Sequence, residues 1–421
     1  MNWLISVVVR RLIWFTYKGL LSKRTETMNS QKSMTSLLLA IFLIALNLRP
    51  AVTSIGPLLD TIRNDLMLSN SEVSLLTAVP VICMGVFAPL AVHWLNKFGQ
   101  KRGISLLLGV IGLLTLVRAW FHDYVSLLIT AFVIGVAIAI IGPILSSMIK
   151  EKFPTRTATA IGIYSLGMGA GATLSAGLTG VLYVWLGEQW EFALAFWSSL
   201  ALLAYLIWIN AMKPQQEERL NIELQQLSFR SPWSNKRAWL VLLFFGFQAS
   251  LFFSLMTWLA SAASELGFSV IEAGTVLSVL TAAQIFANIT IPLLLEKFPN
   301  RSFWIYLLLF IGATGIILLL TGNVTLIWFA SILLGLTLGG LFPLALLLPL
   351  DETTDAKEAN AWTAMVQTGG FIMGGIVPLA IGILYDWSGT HQMTYYVLLV
   401  LIVGMFITTL LLNRKTLHTQ G

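Results

Sequence analysis

Charge is scarce in this chain, and its scarcity excludes many of the usual possibilities. Asp, Glu, Lys and Arg make up 10% of the 421 residues while hydrophobic types make up 57%, against roughly a quarter charged in an average soluble domain. So few charges cannot clothe a water-facing surface. Cysteine is nearly absent. Cys83 stands alone, which excludes an intramolecular disulfide framework and a cysteine-based zinc cluster. It lies in an apolar run and reads as a small core residue. Asp and Glu are missing from the centre of every long apolar run; Asp60, Glu72, Glu265 and Glu272 all fall near run ends. No cluster of His, Asp, Glu or Ser shares one depth, so neither a membrane-embedded enzyme nor a metal or cofactor is expected.

What is present is apolar length. Runs able to span the ~30 Å hydrocarbon core recur near residues 36–59, 73–95, 103–121, 124–149, 157–186 and 191–212. A second set follows near 238–264, 271–295, 302–321, 325–350, 358–386 and 393–413. From Ser302 to Leu350 there is no charged residue, and Thr321-Gly322-Asn323 reads as the turn that divides this stretch. Backbone groups in lipid must be satisfied within their own segment, so runs of this length are helices. The period-2 alternation of barrel strands is absent. The expected fold class is an all-α integral membrane protein of twelve transmembrane helices.

Basic residues set the orientation. With the N-terminus in the cytoplasm, the cytoplasmic loops collect Lys97, Lys101, Arg102, Lys150, Lys152, Arg237, Lys297, Arg301, Lys357 and others, while the opposite side keeps only Arg63 and Arg118. This asymmetry predicts cytoplasmic termini at both ends. It also accounts for the formal net charge of +6 without any nucleic-acid partner. A bacterial inner membrane is the expected location. Residues 1–35 form a basic segment whose apolar part, 3–21, is cut by Arg10, Arg11 and Lys18. The expectation is that synthesis starts at Met28; an interfacial helix and an uncleaved signal-like segment are the alternatives.

The chain repeats itself. At an offset of 200, Ser69-x-x-Glu72 recurs as Ser269-x-x-Glu272, Lys97-Phe98 as Lys297-Phe298, Gly135 as Gly335 and Pro143 as Pro343. At an offset of 202, Gly-Val-Leu-Tyr-Val-Trp (180–185) recurs as Gly-Ile-Leu-Tyr-Asp-Trp (382–387). The Ser-x-x-Glu pair is the capping-box pattern of a helix start. Six crossings return the chain to the same side, so the halves are parallel repeats. The expected division is a first six-helix half (36–212), a polar cytoplasmic linker (213–237), a second half (238–413) and a cytoplasmic tail (414–421). Such a build holds its site near the midplane between halves. One chain supplies both, so a monomer is expected.

Arg49 is the residue that asks for an explanation. It lies near the middle of the first span in Leu-Asn-Leu-Arg-Pro (46–50). An arginine at that depth costs roughly 2.5–3.5 kcal/mol on insertion scales, and no central carboxylate is available to pair with it. An anionic small-molecule ligand explains it; the alternative is that it bonds carbonyls freed by Pro50. Neutral polar residues at similar depth are Asn47, Thr53, Tyr164, Gln248, Thr281, Gln284, Asn288 and Gln367. Gln284 and Asn288 are four apart and share a helix face. With Arg49 they form the candidate substrate-binding set, interhelical hydrogen bonding being the alternative for each. Gly167, Gly169 and Gly171 lie inside a span, which marks helix packing rather than a nucleotide loop. Arg118, near a span end, is expected to snorkel.

Twelve spans in parallel repeats with a central linker resemble the major facilitator superfamily. The loop after the second span, Asn96-Lys97-Phe98-Gly99-Gln100-Lys101-Arg102, is similar to that superfamily's signature loop. The resemblance implies a gating role for Asn96, Lys97, Gly99, Lys101 and Arg102. Asn96 replaces the usual acidic residue and Val92 the first glycine, which removes the acidic member of the implied clasp. Leu-Asn-Leu-Arg-Pro (46–50), Gly-Pro-Leu-Leu (56–59), Leu-Leu-Thr-Ala-Val-Pro (75–80), Gly339–Pro343 and Gln367–Gly370 resemble the cyanate permease and 2-nitroimidazole exporter branch. The resemblance implies a secondary transporter working by alternating access, for a small anion such as cyanate. The alternatives are export of small neutral aromatic drugs, with Trp258, Trp362 and Tyr164 along the path, and a non-transporting membrane sensor.

Overall fold

The computed structural model describes residues 34–154, 157–212, 231–353 and 356–413. Every regular element among them is helical. The expectations for residues 1–33, for most of the linker and for the tail lie outside the described residues. The helices are α1 (Met34–Asp65), α2 (Asn70–Val86), α3 (Leu90–Trp120), α4 (Tyr124–Lys152), α5 (Thr157–Trp185) and α6 (Trp190–Ala211). The second half holds α7 (Lys236–Glu265), α8 (Val270–Lys297), α9 (Arg301–Leu320), α10 (Leu326–Asp351), α11 (Ala356–Ser388) and α12 (Gln392–Asn413).

The first two crossings are broken, each for a local reason. In α1 the ladder turns at Leu48-Arg49, resumes at Pro50–Thr53, passes a 3₁₀ turn at Gly56–Leu58 and ends with Leu59–Asp65. Pro50 has no N–H to donate and its ring crowds the carbonyl four residues back. The Thr53 hydroxyl donates to the Arg49 carbonyl at 2.9 Å and so occupies an acceptor beside the break. The span therefore runs beyond the expected residue 59. Helix α2 is 17 residues long, about 26 Å, short of a full crossing. After a break at Phe87-Ala88-Pro89, residues 90–98 of α3 complete it.

Gly99 then takes φ 68°, ψ 177°, a conformation that glycine adopts without a steric penalty. The chain folds back there: the Trp94 indole donates to the Gly103 carbonyl at 3.2 Å, where a straight helix would hold the two residues about 13 Å apart. The rest of α3 is the third crossing. The loop is tied to its own half, by Gln100 to Glu151 at 2.6 Å and by Trp208 to the Lys101 carbonyl at 3.1 Å.

The internal repeat is visible in the packing. Ser69 and Ser269 both cap their helices in complete capping boxes with Glu72 and Glu272. Gly135 of α4 faces the Pro80 backbone of α2, and Gly335 of α10 faces the Leu280 carbonyl of α8, both too closely for a side chain. The halves meet through α2 against α11 and α5 against α8. A Cβ on Gly382 would sit 2.7 Å from the Asn70 carbonyl, and one on Gly180 would sit 2.7 Å from that of Val270. These contacts lie at the end remote from the basic loops. There Thr257 donates to Thr77 at 2.9 Å and Ser261 to Asp60 at 3.0 Å, both across the halves. At the basic end, the pairs Arg237–Glu352 and Arg301–Asp351 stay within the second half. Among the described residues, the hydrogen bonds between the halves lie toward the end remote from the basic loops.

One expectation about that end is corrected. Arg118 does not snorkel: it is buried and donates from Nε to Thr130 at 3.1 Å. The short 3₁₀ turn at Arg118–Trp120 points it inward, and Thr130 on α4 gives it a partner that the interface would otherwise supply.

Candidate binding cavity

A cavity, with about 650 Å³ of empty space when the open solvent at its mouth is included, lies between the halves at the depth of the α1 break. Arg49 enters it from α1, Ser165, Met168, Gly169 and Ala172 from α5, and Phe245, Gln248, Ala249, Phe252 and Phe253 from α7. Thr281, Gln284 and Asn288 come from α8, Phe342 from α10 and Phe371 from α11. The interruption at Pro50 is what places Arg49 here. Packing holds the break in place. A Cβ on Gly171 of α5 would overlap the Leu46 carbonyl just before the break, and the Thr53 hydroxyl just after it meets Ser175 at 2.6 Å.

The electrostatics of Arg49 are unusual. Ion pairs among the described residues lie elsewhere, at Arg63–Asp60, Lys152–Glu151, Arg237–Glu352 and Arg301–Asp351. The Arg49 guanidinium carbon instead lies 5.4 Å from the centre of the Phe252 ring and 6.0 Å from that of Phe253. Tyr164 is near enough to interact with it electrostatically. Two such ring contacts offset about 1–4 kcal/mol between them, similar to the insertion cost at best. They stabilise the charge, but no hydrogen bond among the described residues takes up the N–H donors, of which a guanidinium has five. An acceptor arriving in the cavity finds those donors ready.

Of the sequence-predicted residues, Arg49, Gln248, Thr281, Gln284 and Asn288 are brought together on the lining. Asn47 and Thr53 are not on it: both are buried, Thr53 in its bonds to Arg49 and Ser175. Tyr164 and Gln367 also lie off the lining. Trp258 and Trp362 are not on this lining either. Both are buried, and the Trp258 indole donates to the Pro378 carbonyl at 2.9 Å. Asn96, Lys97, Gly99, Lys101 and Arg102 sit in the loop at the basic end, with the Lys97 ammonium 5.2 Å from the centre of the Phe98 ring. Sequence reasoning missed the phenylalanines, because a Phe facing a cavity and a Phe facing lipid read alike in an apolar run.

Comparison with known proteins agrees with this architecture. The sequence matches the model of the Major Facilitator Superfamily over residues 37–374 and 259–420. It is 33% identical over 381 residues to the cyanate transport protein CynX of Escherichia coli (strain K12), covering 89% of this chain and 96% of that one. It is 30% identical over 373 residues to the 2-nitroimidazole transporter of the same organism, covering 86% and 92%. The crystal structure of a D-xylose-proton symporter superposes with a TM-score of 0.75 at 15% identity, covering 89% of this chain and 96% of that one.

Proposed function

This chain belongs to the Major Facilitator Superfamily and is a secondary transporter rather than an enzyme, and we propose that it moves a small monovalent anion anchored on Arg49. The observation that carries this reading is a guanidinium in the cavity between the halves, facing two aromatic rings and no carboxylate. The likeness to a cyanate transport protein supports cyanate as the first candidate. Gln248, Gln284 and Asn288 are the proposed neutral partners of the bound anion. The basic loops are proposed to face the cytoplasm of a bacterial cell, with both termini on that side. In that orientation the described conformation is open inward and sealed outward. Rocking the halves about the cavity exposes it to the other side in turn. A single chain holds the whole cavity, which supports a working monomer.

Energetics narrow the coupling. Carrying one negative charge into a cell with an inside-negative potential costs about 2.3 kcal/mol per 100 mV. The lining holds no Asp, Glu or His to take up a compensating proton. Electroneutral exchange of anions, or uptake drawn by consumption of the substrate inside, fits this lining. The aromatic wall favours a second reading, export of small neutral aromatic compounds such as 2-nitroimidazole.

The test is uptake of labelled cyanate into liposomes containing wild type, Arg49→Gln or Arg49→Lys, each checked for folding and insertion. Uptake by wild type that is lost in folded Arg49→Gln is the expected result. Absence of uptake by wild type would contradict cyanate as the substrate; normal uptake by Arg49→Gln would contradict the anion reading and leave the aromatic-export reading in front.

A further inference from the structure

The aromatic wall of the cavity is continuous, and it starts at the arginine. Ring centroids run from Phe252 to Phe253 at 4.9 Å, Phe253 to Phe371 at 6.4 Å, Phe371 to Phe245 at 5.7 Å and Phe245 to Phe342 at 6.4 Å. These rings come from α7, α10 and α11, so the periodicity of one helix does not account for their convergence. All five line the cavity together with one cation and no other charge. A triatomic anion on Arg49 would leave most of this wall unused. A neutral ring would use the wall and leave the guanidinium donors without an acceptor as the cavity closes.

We infer that the cavity is built for a flat aromatic monocarboxylate, its carboxylate on Arg49 and its ring against the phenylalanines. The inference rests on the reading of Arg49 as an anion anchor and adds the class of anion. A carboxylate offers two oxygens to the planar fork of a guanidinium, a bidentate match. One cation on the lining sets the ligand charge at one. Rings meet best in offset or edge-on arrangements, and two of the four wall pairs already stand near perpendicular, Phe245–Phe371 at 85° and Phe252–Phe253 at 78°. Gln248, Gln284 and Asn288 supply amide donors and acceptors for the polar rim of such a ring.

Three probes test this by titration of the purified full-length chain: benzoate, its neutral isostere benzamide, and the ringless carboxylate acetate. Benzoate is expected to bind about tenfold or more tightly than acetate, because only it engages the rings. It is also expected to bind well ahead of benzamide. Phe371→Leu, confirmed folded, is expected to narrow the benzoate-to-acetate ratio several-fold. If acetate binds as well as benzoate, the aromatic inference is overturned while the anion reading stands. If benzamide binds as well as benzoate, the anion reading itself fails and takes the inference with it. If none of the three binds, the inference is overturned, and the cyanate uptake assay decides the anion reading separately.

Discussion

The carboxylate of Asp386, at the end of α11, caps the first turn of α2 in the other half, accepting from the Asn70 backbone N–H at 2.7 Å. It also accepts from the Asn70 side-chain amide and from the Ser71 N–H, both at 2.8 Å. Ser69 takes the N–H of Glu72 at 3.2 Å, so the orphan donors of this helix start are shared between the two halves. The repeat-related contact is Gly180 against Val270, where the counterpart of Asp386 is Val184. The seal therefore has a charged latch on one side of its pseudo-symmetry and none on the other.

Asp386→Ala is expected to loosen that seal. Charge-assisted bonds of this kind, discounted for partial exposure, contribute about 1 kcal/mol, roughly a fivefold shift in population. A cysteine at buried Ser74, in a Cys83→Ser background, reports it through labelling by an impermeant thiol reagent from the sealed side. The labelling rate should rise in Asp386→Ala and rise less in Asp386→Asn, which keeps one acceptor oxygen. An unchanged rate in both would show that the latch does not hold the seal.

The second expectation concerns pH. His391, in the connection between α11 and α12, is buried and hydrogen-bonded to Ser261 at 3.0 Å and Thr394 at 3.2 Å. Burial, helped by the positive field of Arg63, holds its imidazole down from 6.5 to about 3. Glu265 accepts from its backbone N–H at 3.4 Å, and the Tyr385 ring lies 4.5 Å away. Between those pH values the unfolded chain binds a proton that the folded chain refuses, so stability falls as pH drops. The contribution is complete above pH 6.5 and is lost as pH falls toward 3. Thermal melts in detergent from pH 7 to pH 4 should show a steeper loss for wild type than for His391→Gln. Parallel slopes would contradict it.

Helix contact at the α1 break makes a third. Gly171→Val drives a side chain into the Leu46 carbonyl, and overpacking of this kind costs about 1–3 kcal/mol. Gly162, in the same helix α5, has no atom within 4 Å of a Cβ position. Gly162→Ala should leave the melting temperature unchanged or slightly raised, and Gly171→Val should lower it. Equal melting temperatures would mean that α5 and α1 are not packed as described.

Cavity membership can be tested with two glutamines. Gln248 lines the cavity and Gln367 does not. Gln248→Leu is expected to raise the KM for the transported anion about three- to tenfold, the worth of one lost hydrogen bond. Gln367→Leu should stay near wild type. The reverse order would move the site toward α11.

The fold was legible because lipid leaves so few choices: apolar length gave the crossings, and Ser69, Glu72, Ser269 and Glu272 marked their starts before any packing was known. Arg49 was legible for the same reason, since a central cation needs a partner. The rest depended on contacts between distant residues. Phe245 lines the cavity while Phe286 and Phe310 are 63% and 72% exposed on the outer surface, and nothing in their neighbouring residues separates them. Asn47 and Arg49 are two positions apart, yet the Pro50 break sends one into packing and the other into the cavity. Asp386 carries no local signal of its role, because its partners lie more than 300 positions away.

The central claim is that an anion sits on Arg49, and equilibrium titration of cyanate into the purified chain tests it most directly. Wild type is expected to bind one anion per chain, Arg49→Lys more weakly, and folded Arg49→Gln not measurably. Equal binding by wild type and Arg49→Gln would contradict the account.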